Sequence, residues 1–590
     1  MLSPLLVTTT ADEVNPNDGV LSLREAIAQA NLDASNGQSD TITFAARLGG
    51  HATITLDPTL GQLELTGANP SARETIDGAG RITVSGGDNV RVFYVSPNTT
   101  ATIAGLTITL GRASEAPDTV VLRCHGGGIL NDTGADLTLI DDILSHNTAQ
   151  GFKDAGNGPL DEFRHLGGGA GGGVANVGTL TVTDCTFIDN QALGYNGQQG
   201  ANLFPNLQGV RFPGIGLGGG IWNWLTGTAT VTDSRFIDNM AHGGNLSTGS
   251  FSGLANGGAI YNDNDLTVTG SLFYGNRAVG GSDITDSDAF SGPATGGAIS
   301  SGTNERLLGV TESAELTVSQ CIFSHNQAHG GDGNFASKVP QGLASAGGVL
   351  GGGIAVFQGV ATIKQSVLDH NQAIGGDGAA GQVGGTVAGG GIVFVNFLSR
   401  PTQTGVSGVM GTVDGCALVG NEAIGGTGGA GARGGNALGG GIAAGNFGLP
   451  PFFSGTVTLT NTLVAGNLAR GGDGGSGGTG GDGLGGGVFN GLGETLTASH
   501  MALLFNEADG GAGGAGANGG NGLGGGLYNQ GTASLTRSLI AFNEAEGGAA
   551  GSGAGTTAGT GNGGGIFNTG SLSIDALTEI FGNLPNDRVG

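Results

Sequence analysis

The sequence predicts an all-β chain folded as a single right-handed parallel β-helix, with an N-terminal helical cap and glycine-rich, polyproline-II-like inserts. Three observations carry this: a repeating unit, two apolar columns in phase with it, and glycine segments of period three. From residue 124 onward the chain repeats Gly-Gly-(Gly/Ala)-apolar, a short gap, Thr-x-Thr, apolar-x-x-Asn and a glycine-rich stretch. The closing asparagines are Asn147, Asn190, Asn239, Asn276, Asn326, Asn371, Asn421, Asn467, Asn506, Asn543 and Asn583, eleven in all and 37 to 50 residues apart. Three residues before each stands an apolar residue: Leu144, Phe187, Phe236, Phe273, Phe323, Leu368, Leu418, Val464, Leu503, Ile540 and Ile580. A second apolar column runs eight residues before, from Leu139 and Val182 to Leu535. Around both, apolar and polar residues alternate with period two, the strand signature. Strands this short cannot each bury a face alone, but stacked as coils they share one continuous core. At ~4.8 Å per coil, eleven coils make a section roughly 50 Å long.

The asparagines read as tight-turn residues, tolerant of positive φ and able to bond their own backbone. Stacking makes them a ladder. A second ladder follows the glycine triplet: Asn131, Asn176, Asn223, Asn262, Asn490, Asn529 and Asn568.

Three regions follow. Residues 1–50 form the cap, 51–123 irregular first coils, and 124–590 the eleven-coil β-helix with its inserts. In the cap, Ser22 and Glu25 make a capping box. Leu23, Ala26, Ile27 and Ala30 give helical spacing, so a short amphipathic helix covers the open end of the core. In the early coils Arg81–Ser85, Val92–Val95 and Thr102–Leu110 read as strands.

These residues carry a resemblance. LSLREAIAQAN at 21–31 with DTITF at 40–44 resembles the N-terminal SLREAI module of secreted bacterial right-handed β-helix proteins. The recurring GGGI or GGAI with FIDN, FYGN or FSHN is similar to repeats of polymorphic outer-membrane proteins. The resemblance implies an extracellular or cell-surface protein and is specific for fold rather than activity. Leu21 departs from it, standing where many relatives have Cys or Gly, and no C-terminal autotransporter barrel follows.

Composition narrows the function. Glycine is 128 of 590 residues, about 22% against a usual ~7%. Charged residues are 11% and aromatics 5%, unlike a charge-solvated disordered chain or a conventional enzyme core. With 15 prolines, collagen is excluded. The net charge of −27 argues against nucleic acid or an anionic membrane surface as partner. No apolar run reaches the 18 or more residues of a spanning helix. Met1–Val7 lacks a cationic region, so no signal peptide is read in this chain. The expected state is a monomer.

The inserts read GGTGGAGARGGNALGGG after Asn421, GGDGGSGGTGGDGLGGG after Asn467 and GGAGGAGANGGNGLGGG after Asn506. Three is the repeat of the polyproline-II helix. The inserts should therefore pack side by side as an ordered layer, with backbone bonds between neighbours. The insert after Asn190 lacks the period, and Phe204 and Phe212 are its expected anchors.

Candidate chemistry is sparse. Cys185, Cys321 and Cys416 share a small-residue column five before the asparagine, and coil spacing puts them too far apart for disulfides. They read as buried free thiols. Asp141, Asp184 and Asp233 share the column six before, and Asp189 and Asp238 the column immediately before. Stacked carboxylates ~5 Å apart repel unless a cation lies between, so these five are the candidate metal ligands, with calcium the fitting ion. No other cofactor is expected. The same column could supply a glycosidase pair, and it is also simply a turn. No catalytic residue is assigned, because no Ser/His/Asp, Cys/His or phosphate-loop pattern stands out. Trp222 and Tyr261, and then Phe489, Tyr528 and Phe567, could stack on sugars but should be covered by the inserts. The leading expectation is a non-enzymatic, adhesin-like or structural rod presenting an extended binding surface to an extracellular polysaccharide or cell-surface component. The alternatives are a polysaccharide-acting lyase or glycoside hydrolase, or a calcium- or carbohydrate-binding module.

Overall fold

The computed structural model of the chain describes residues 4–67, 69, 71–113, 124–153, 167–198, 213–248, 252–284, 291–302, 314–335, 347–396, 408–446 and 454–590. Phe204 and Phe212 lie outside them. The fold is a parallel β-helix: every strand pairing is parallel, and each strand pairs with its counterpart one coil along.

The regular coils contribute five strands in a fixed order, taken here from the coil closed by Asn190. A two-residue strand, Gly169–Ala170, leads into Val174–Asn176, then Thr179–Thr183, Thr186–Ile188 and finally Gln191–Leu193. Stacked, these positions form five ladders. The third and fourth belong to one sheet, because the early strands Glu74–Ser85 and Thr100–Thr109 run unbroken through the corner that later coils turn.

The corner residues explain the sequence columns. The position six before each asparagine is left-handed in successive coils: Asp141, Asp184, Asp233, Gly270, Gln320, Gln365 and Gly415, all at φ between 49° and 63°. So is the position immediately before it: His146, Asp189, Asp238, Gly275, His325, His370 and Gly420. The asparagines themselves are not left-handed, which corrects the expectation that they make the turn. They point inward instead and are buried.

Each asparagine amide bonds the next. The Asn190 Nδ2 donates to Asn239 Oδ1 at 2.9 Å and to the Leu144 carbonyl at 2.8 Å. Its Oδ1 accepts the backbone N–H and the Nδ2 of Asn147, at 3.1 and 2.9 Å. The pattern runs unbroken to Asn583, whose amide bonds Asp587 at 2.9 Å. Every donor and acceptor of the buried amide is thereby used, as a low-dielectric interior requires. The second ladder joins Asn131, Asn176, Asn223 and Asn262 at 2.7–2.8 Å, and Asn490, Asn529 and Asn568 at 2.7 Å.

The core is one apolar cluster running the length of the rod. Ten of the eleven residues three before the asparagines are fully buried, and Ile580 of the last coil packs partly buried against them. Phe187, Phe236, Phe273 and Phe323 stack with ring centroids 4.6–4.8 Å apart and planes within 9°.

At the N-terminus, helix α1 (Leu23–Ser35) closes the core with Leu23, Ala26, Ile27, Ala30 and Ala34, and its capping box is formed. Arg24 fixes its approach. The guanidinium makes two 2.8 Å bonds to Asp12 and also donates to the Gly61 and Gln62 carbonyls.

A side layer, built by the glycine inserts, flanks the β-helix. Two residues after ten of the eleven closing asparagines stands a buried alanine, Ala149 and Ala192 through Ala508 and Ala545, and Pro585 takes the place in the last coil. These pack against Ala255, Ala294, Val349, Val387 and Ala437 of the two-residue ladder in a thin dry seam. The sequence reading missed this column. Beyond the seam the insert after Asn467 runs out and back, and its hydrogen bonds follow the three-residue period. Gly471, Gly474, Gly477 and Gly480 donate to the next coil, at the carbonyls of Asp509, Ala512, Ala515 and Asn518, 2.8–3.0 Å away. One residue later the direction changes. Gly472 and Gly475 donate to Gly435 and Ala432 of the preceding insert, and Gly481 donates across to Gly472. At the third position side chains meet some of the N–H groups: Asp473 Oδ1 accepts from Ala512, and Asp482 Oδ1 from Asn521.

The need for glycine is steric. A Cβ on Gly478 would strike the Ala432 carbonyl, and one on Gly481 the Gly435 carbonyl. Ordering glycine costs more backbone entropy than ordering any other residue, and this bonding along the stack offsets it.

All four cysteines are buried, Cys124 among them, and Cys185, Cys321 and Cys416 are free. Burial, with Asp142 nearby, pushes the Cys185 thiol up to about 12, and burial takes Cys321 to about 11. Cys185, Cys321 and Cys416 should therefore react with a thiol reagent only after denaturation. Fast modification of native protein would count against their burial.

Asp142 heads the same small-residue column and is 1% exposed. It accepts the Leu106 amide at 2.7 Å. Burial nevertheless pushes its carboxyl up to about 7. The fold therefore favours the neutral acid: its stabilisation is complete below the unfolded carboxyl range near 4 and disappears as pH rises through about 7. Thermal melts should show stability falling between pH 4 and 8, with a shallower fall in Asp142→Asn. An unchanged slope in that variant would contradict the assignment.

Candidate functional site

The five aspartates singled out by the sequence occupy the two left-handed turn columns. Asp141, Asp184, Asp233 and Asp238 are exposed and Asp189 is partly so. A short polar side chain tolerates this backbone conformation, so the turns account for their residue type. Asp189 faces His146 at 3.5 Å. Burial, with Asp189 beside it, raises the Asp238 carboxyl. Among the described residues, the group of three carboxylates whose oxygens lie within 4.8 Å of one another is a different one: Glu507, Asp509 and Glu546. These lie on adjacent strands, Glu507–Asp509 and Glu544–Glu546, with Asp509 opposite Glu546. Burial and the two neighbouring glutamates push the Asp509 carboxyl up to about 7.

The turn column before the asparagines gathers more chemistry in its middle. There the chain forms a groove of about 240 Å³ lined by Arg277, His325, Gln327, His370, Gln372, Gly420 and Glu422. The residues alternate between the turn itself and the first position of the strand that follows. Successive coils therefore set His325 beside His370, and Gln327, Gln372 and Glu422 in a row. The row is bonded head to tail: Gln327 Nε2 donates to Gln372 at 3.2 Å, and Gln372 Nε2 to Glu422 at 2.9 Å. The imidazoles stack with centroids 5.2 Å apart and planes 13° apart, and Tyr274 leans on His325 at 5.5 Å.

The histidine tautomers follow from their partners. The Asp369 carboxylate only accepts, so His370 Nδ1 donates to it at 3.2 Å and the Ser324 hydroxyl at 3.0 Å. With its one proton committed, Ser324 accepts from His325 Nδ1 at 2.7 Å. In the neutral form both rings thus carry the proton on Nδ1 and leave Nε2 as an acceptor. Gly420 leaves a hollow beside His370 Nε2, since a Cβ there would lie 3.2 Å from it. The groove offers two acceptor nitrogens, one guanidinium, amide donors and aromatic faces.

Further along the stripe, Phe505, Phe542 and Phe581 are 62%, 50% and 44% exposed. Phe505 and Phe542 stack at 5.3 Å, and Phe581 meets Phe542 edge-on at 5.6 Å. Both stacked residues hold the left-handed backbone, φ 56° and 58°, which is uncommon for a bulky side chain. Of the aromatics after the glycine triplet, Trp222, Tyr261, Phe489 and Tyr528 are buried and Phe567 is partly so. Trp222 and Tyr261 pack under Ile215, Leu217 and Leu254, and Phe489 and Tyr528 are about 5% exposed. The groove was not legible in the sequence because its members come from two columns whose residue types vary along the rod: His325 and His370 give way to Gly420, and Arg277 to Gln327, Gln372 and Glu422.

No protein-family model matches the chain, and no characterised protein sequence matches it. Solved structures with the same architecture do. The chain is similar to a complex of alginate lyase AlyF-OU02, at 11% identity and TM-score 0.26, over 91% of this chain and 80% of that one. It is also similar to PfbA, a surface adhesin of Streptococcus pneumoniae, at 10% identity and TM-score 0.24, over 99% and 93%. The periplasmic alginate epimerase AlgG follows at 8% and 0.22, over 93% and 88%. At these values the likeness carries no argument about ligand or activity. No helix among the described residues is long and apolar enough to cross a membrane.

Proposed function

We propose that this protein is a secreted or cell-surface β-helical scaffold that binds a glycan, an extracellular polysaccharide or cell-surface saccharide, along the stripe of turn residues. The groove between Arg277 and Glu422 carries the reading. Sugars present a rim of hydroxyls and apolar C–H faces. The groove answers the first with paired amides, Arg277 and two imidazole acceptors, and the second with Tyr274 and the imidazole faces. Its polar groups are fixed against one another before any ligand arrives, which lowers the ordering cost of binding. The resemblance of residues 21–31 to the module of secreted β-helix proteins supports the location.

A second reading, a polysaccharide-acting enzyme, draws on one observation. Asp369 and Ser324 hold both imidazoles in the tautomer that leaves Nε2 free as a general base. One experiment addresses both readings: a polysaccharide panel scored for binding and for new reducing or unsaturated ends. The scaffold reading expects binding without new ends, weakened at least tenfold by Arg277→Ala and by Gln372→Ala. New ends that vanish in His370→Ala would establish the enzyme instead. No binding to any member and no new ends would remove both.

A further inference from the structure

The last turn of the cap helix α1 lies over two buried acids. Strand Asp40–Phe44 pairs in register with Glu74–Ser85, which sets Asp40 opposite Glu74. In both strands this position belongs to the buried, inward-facing set, together with Ile42 and Ile76. Asp40 is 4% exposed and Glu74 1%. Asp40 Oδ2 and both Glu74 oxygens have no hydrogen bond. Ala34 of α1 helps to cover Glu74: a Cβ on Gly67 would strike both Glu74 Oε1 and the Ala34 side chain. From the same turn Asp33, itself partly exposed, reaches Asp40.

The elements packed around the two acids supply no counter-charge. Strand Thr100–Thr109 sets Ala101 opposite Glu74 and carries no charged residue. Strand Leu63–Leu65 carries only Glu64, which is exposed. Arg73 is also exposed and turns away to Thr102 Oγ1 at 3.0 Å. Arg24, paired with Asp12, and Glu25, in the capping box, stand at the opposite end of α1. The last turn of α1 has no basic residue, so the negative end of the helix dipole adds to the repulsion.

A buried carboxyl with neither a cation nor an adequate donor is held in its neutral form. Burial, joined by Asp40, pushes the Glu74 carboxyl up to about 7, and burial with Asp33 raises Asp40. Protonated, Asp40 can donate to Asp33 and so tie the first strands to the helix. From the register of Asp40 with Glu74, their burial, and the seating of Ala34 and Asp33 over them, we infer that these acids form a proton-operated latch on the cap. Neutral, they hold α1 against the first coils. Ionised, they lift its last turn and uncover the end of the core that Leu23, Ala26, Ile27, Ala30 and Ala34 close. A carboxyl that the fold holds neutral stabilises the closed cap fully below its unfolded range near 4, and that contribution is lost as pH rises through about 7. Opening of α1 should therefore grow by up to about tenfold per pH unit across this window and level off above it.

The test is hydrogen exchange of the full chain from pH 5 to pH 8.5, read on the amides of residues 23–35 and corrected for the intrinsic pH dependence of exchange. The expected result is protection that falls roughly tenfold or more between pH 5 and pH 8 in the parent. The control Asp142→Asn, whose acid lies outside the cap, should show the same fall in α1. Glu74→Gln should keep the parent's pH 5 protection throughout. Glu74→Met, which fills the volume without a charge, should do the same if the amide prevents folding. A flat profile in the parent would overturn the inference, as would an unchanged fall in the Glu74 variants. A fall of equal size at residues 186–193 would overturn it too, because the whole rod rather than the cap would then be opening.

Discussion

Replacing Asn326 by alanine is expected to destabilise the protein by about 3–6 kcal/mol, the largest loss available to a single polar substitution here. The side chain makes four bonds. Its Oδ1 accepts the Asn276 backbone N–H at 3.1 Å and the Asn276 Nδ2 at 2.9 Å. Its Nδ2 donates to the Phe273 carbonyl at 3.0 Å and to Asn371 Oδ1 at 2.9 Å. Alanine breaks all four bonds and leaves the Asn276 backbone N–H and one Asn276 Nδ2 hydrogen buried without their acceptor, although Asn276 Nδ2 keeps the Phe236 carbonyl and Asn371 Oδ1 keeps the Asn326 backbone N–H. Asn326→Asp should be nearly as damaging, because its carboxylate would face the Asn371 Oδ1 acceptor. Its loss should ease in acid as the carboxyl protonates. Chemical denaturation read by circular dichroism measures both. A loss under about 1 kcal/mol for Asn326→Ala would mean the amide ladder contributes little.

Phe273→Ala should cost about 3–5 kcal/mol through the cavity it opens. Phe273 is fully buried and sits between Phe236 and Phe323, with centroids 4.8 and 4.6 Å away. Two stacked contacts are lost with one ring. Phe273→Leu keeps most of the volume, and leucine is the residue other coils use at this position, as at Leu368 and Leu418. It should therefore cost less than half as much. Equal losses for the two variants would argue that stacking, rather than filling, sets the stability of this column.

These two columns show how the sequence encodes the fold. Asn and the apolar residue three before it recur at every coil, so alignment on one exposes the other and the β-helix follows. The alanine column is nearly as regular, breaking only at Pro585, but alanine gives little contrast in an alternating pattern and passed unnoticed. The turn assignment failed for a physical reason. Asparagine suits both a left-handed turn and a buried amide ladder, and the residue preceding it, which does turn, has no single identity: His146, Asp189, Gly275 and Phe505 all serve. The groove was hidden for the same reason, since function there rests on what differs between coils rather than on what repeats. The cap helix was legible from Ser22 and Glu25. The acid pair beneath it was not, because Asp40 and Glu74 meet only through strand register.

The side layer is where structure and sequence meet most directly, since a period of three in glycine corresponds to three distinct destinations for the backbone N–H. Hydrogen exchange followed by mass spectrometry across residues 471–487 tests it. Bonded as described, Gly471, Gly472, Gly474 and Gly475 should exchange orders of magnitude more slowly than an unstructured glycine peptide. Gly478→Ala, whose Cβ meets the Ala432 carbonyl, should restore fast exchange locally while the asparagine ladder stays protected. Exchange in the parent protein as fast as in the free peptide would contradict the bonded layer and reduce these segments to tethers.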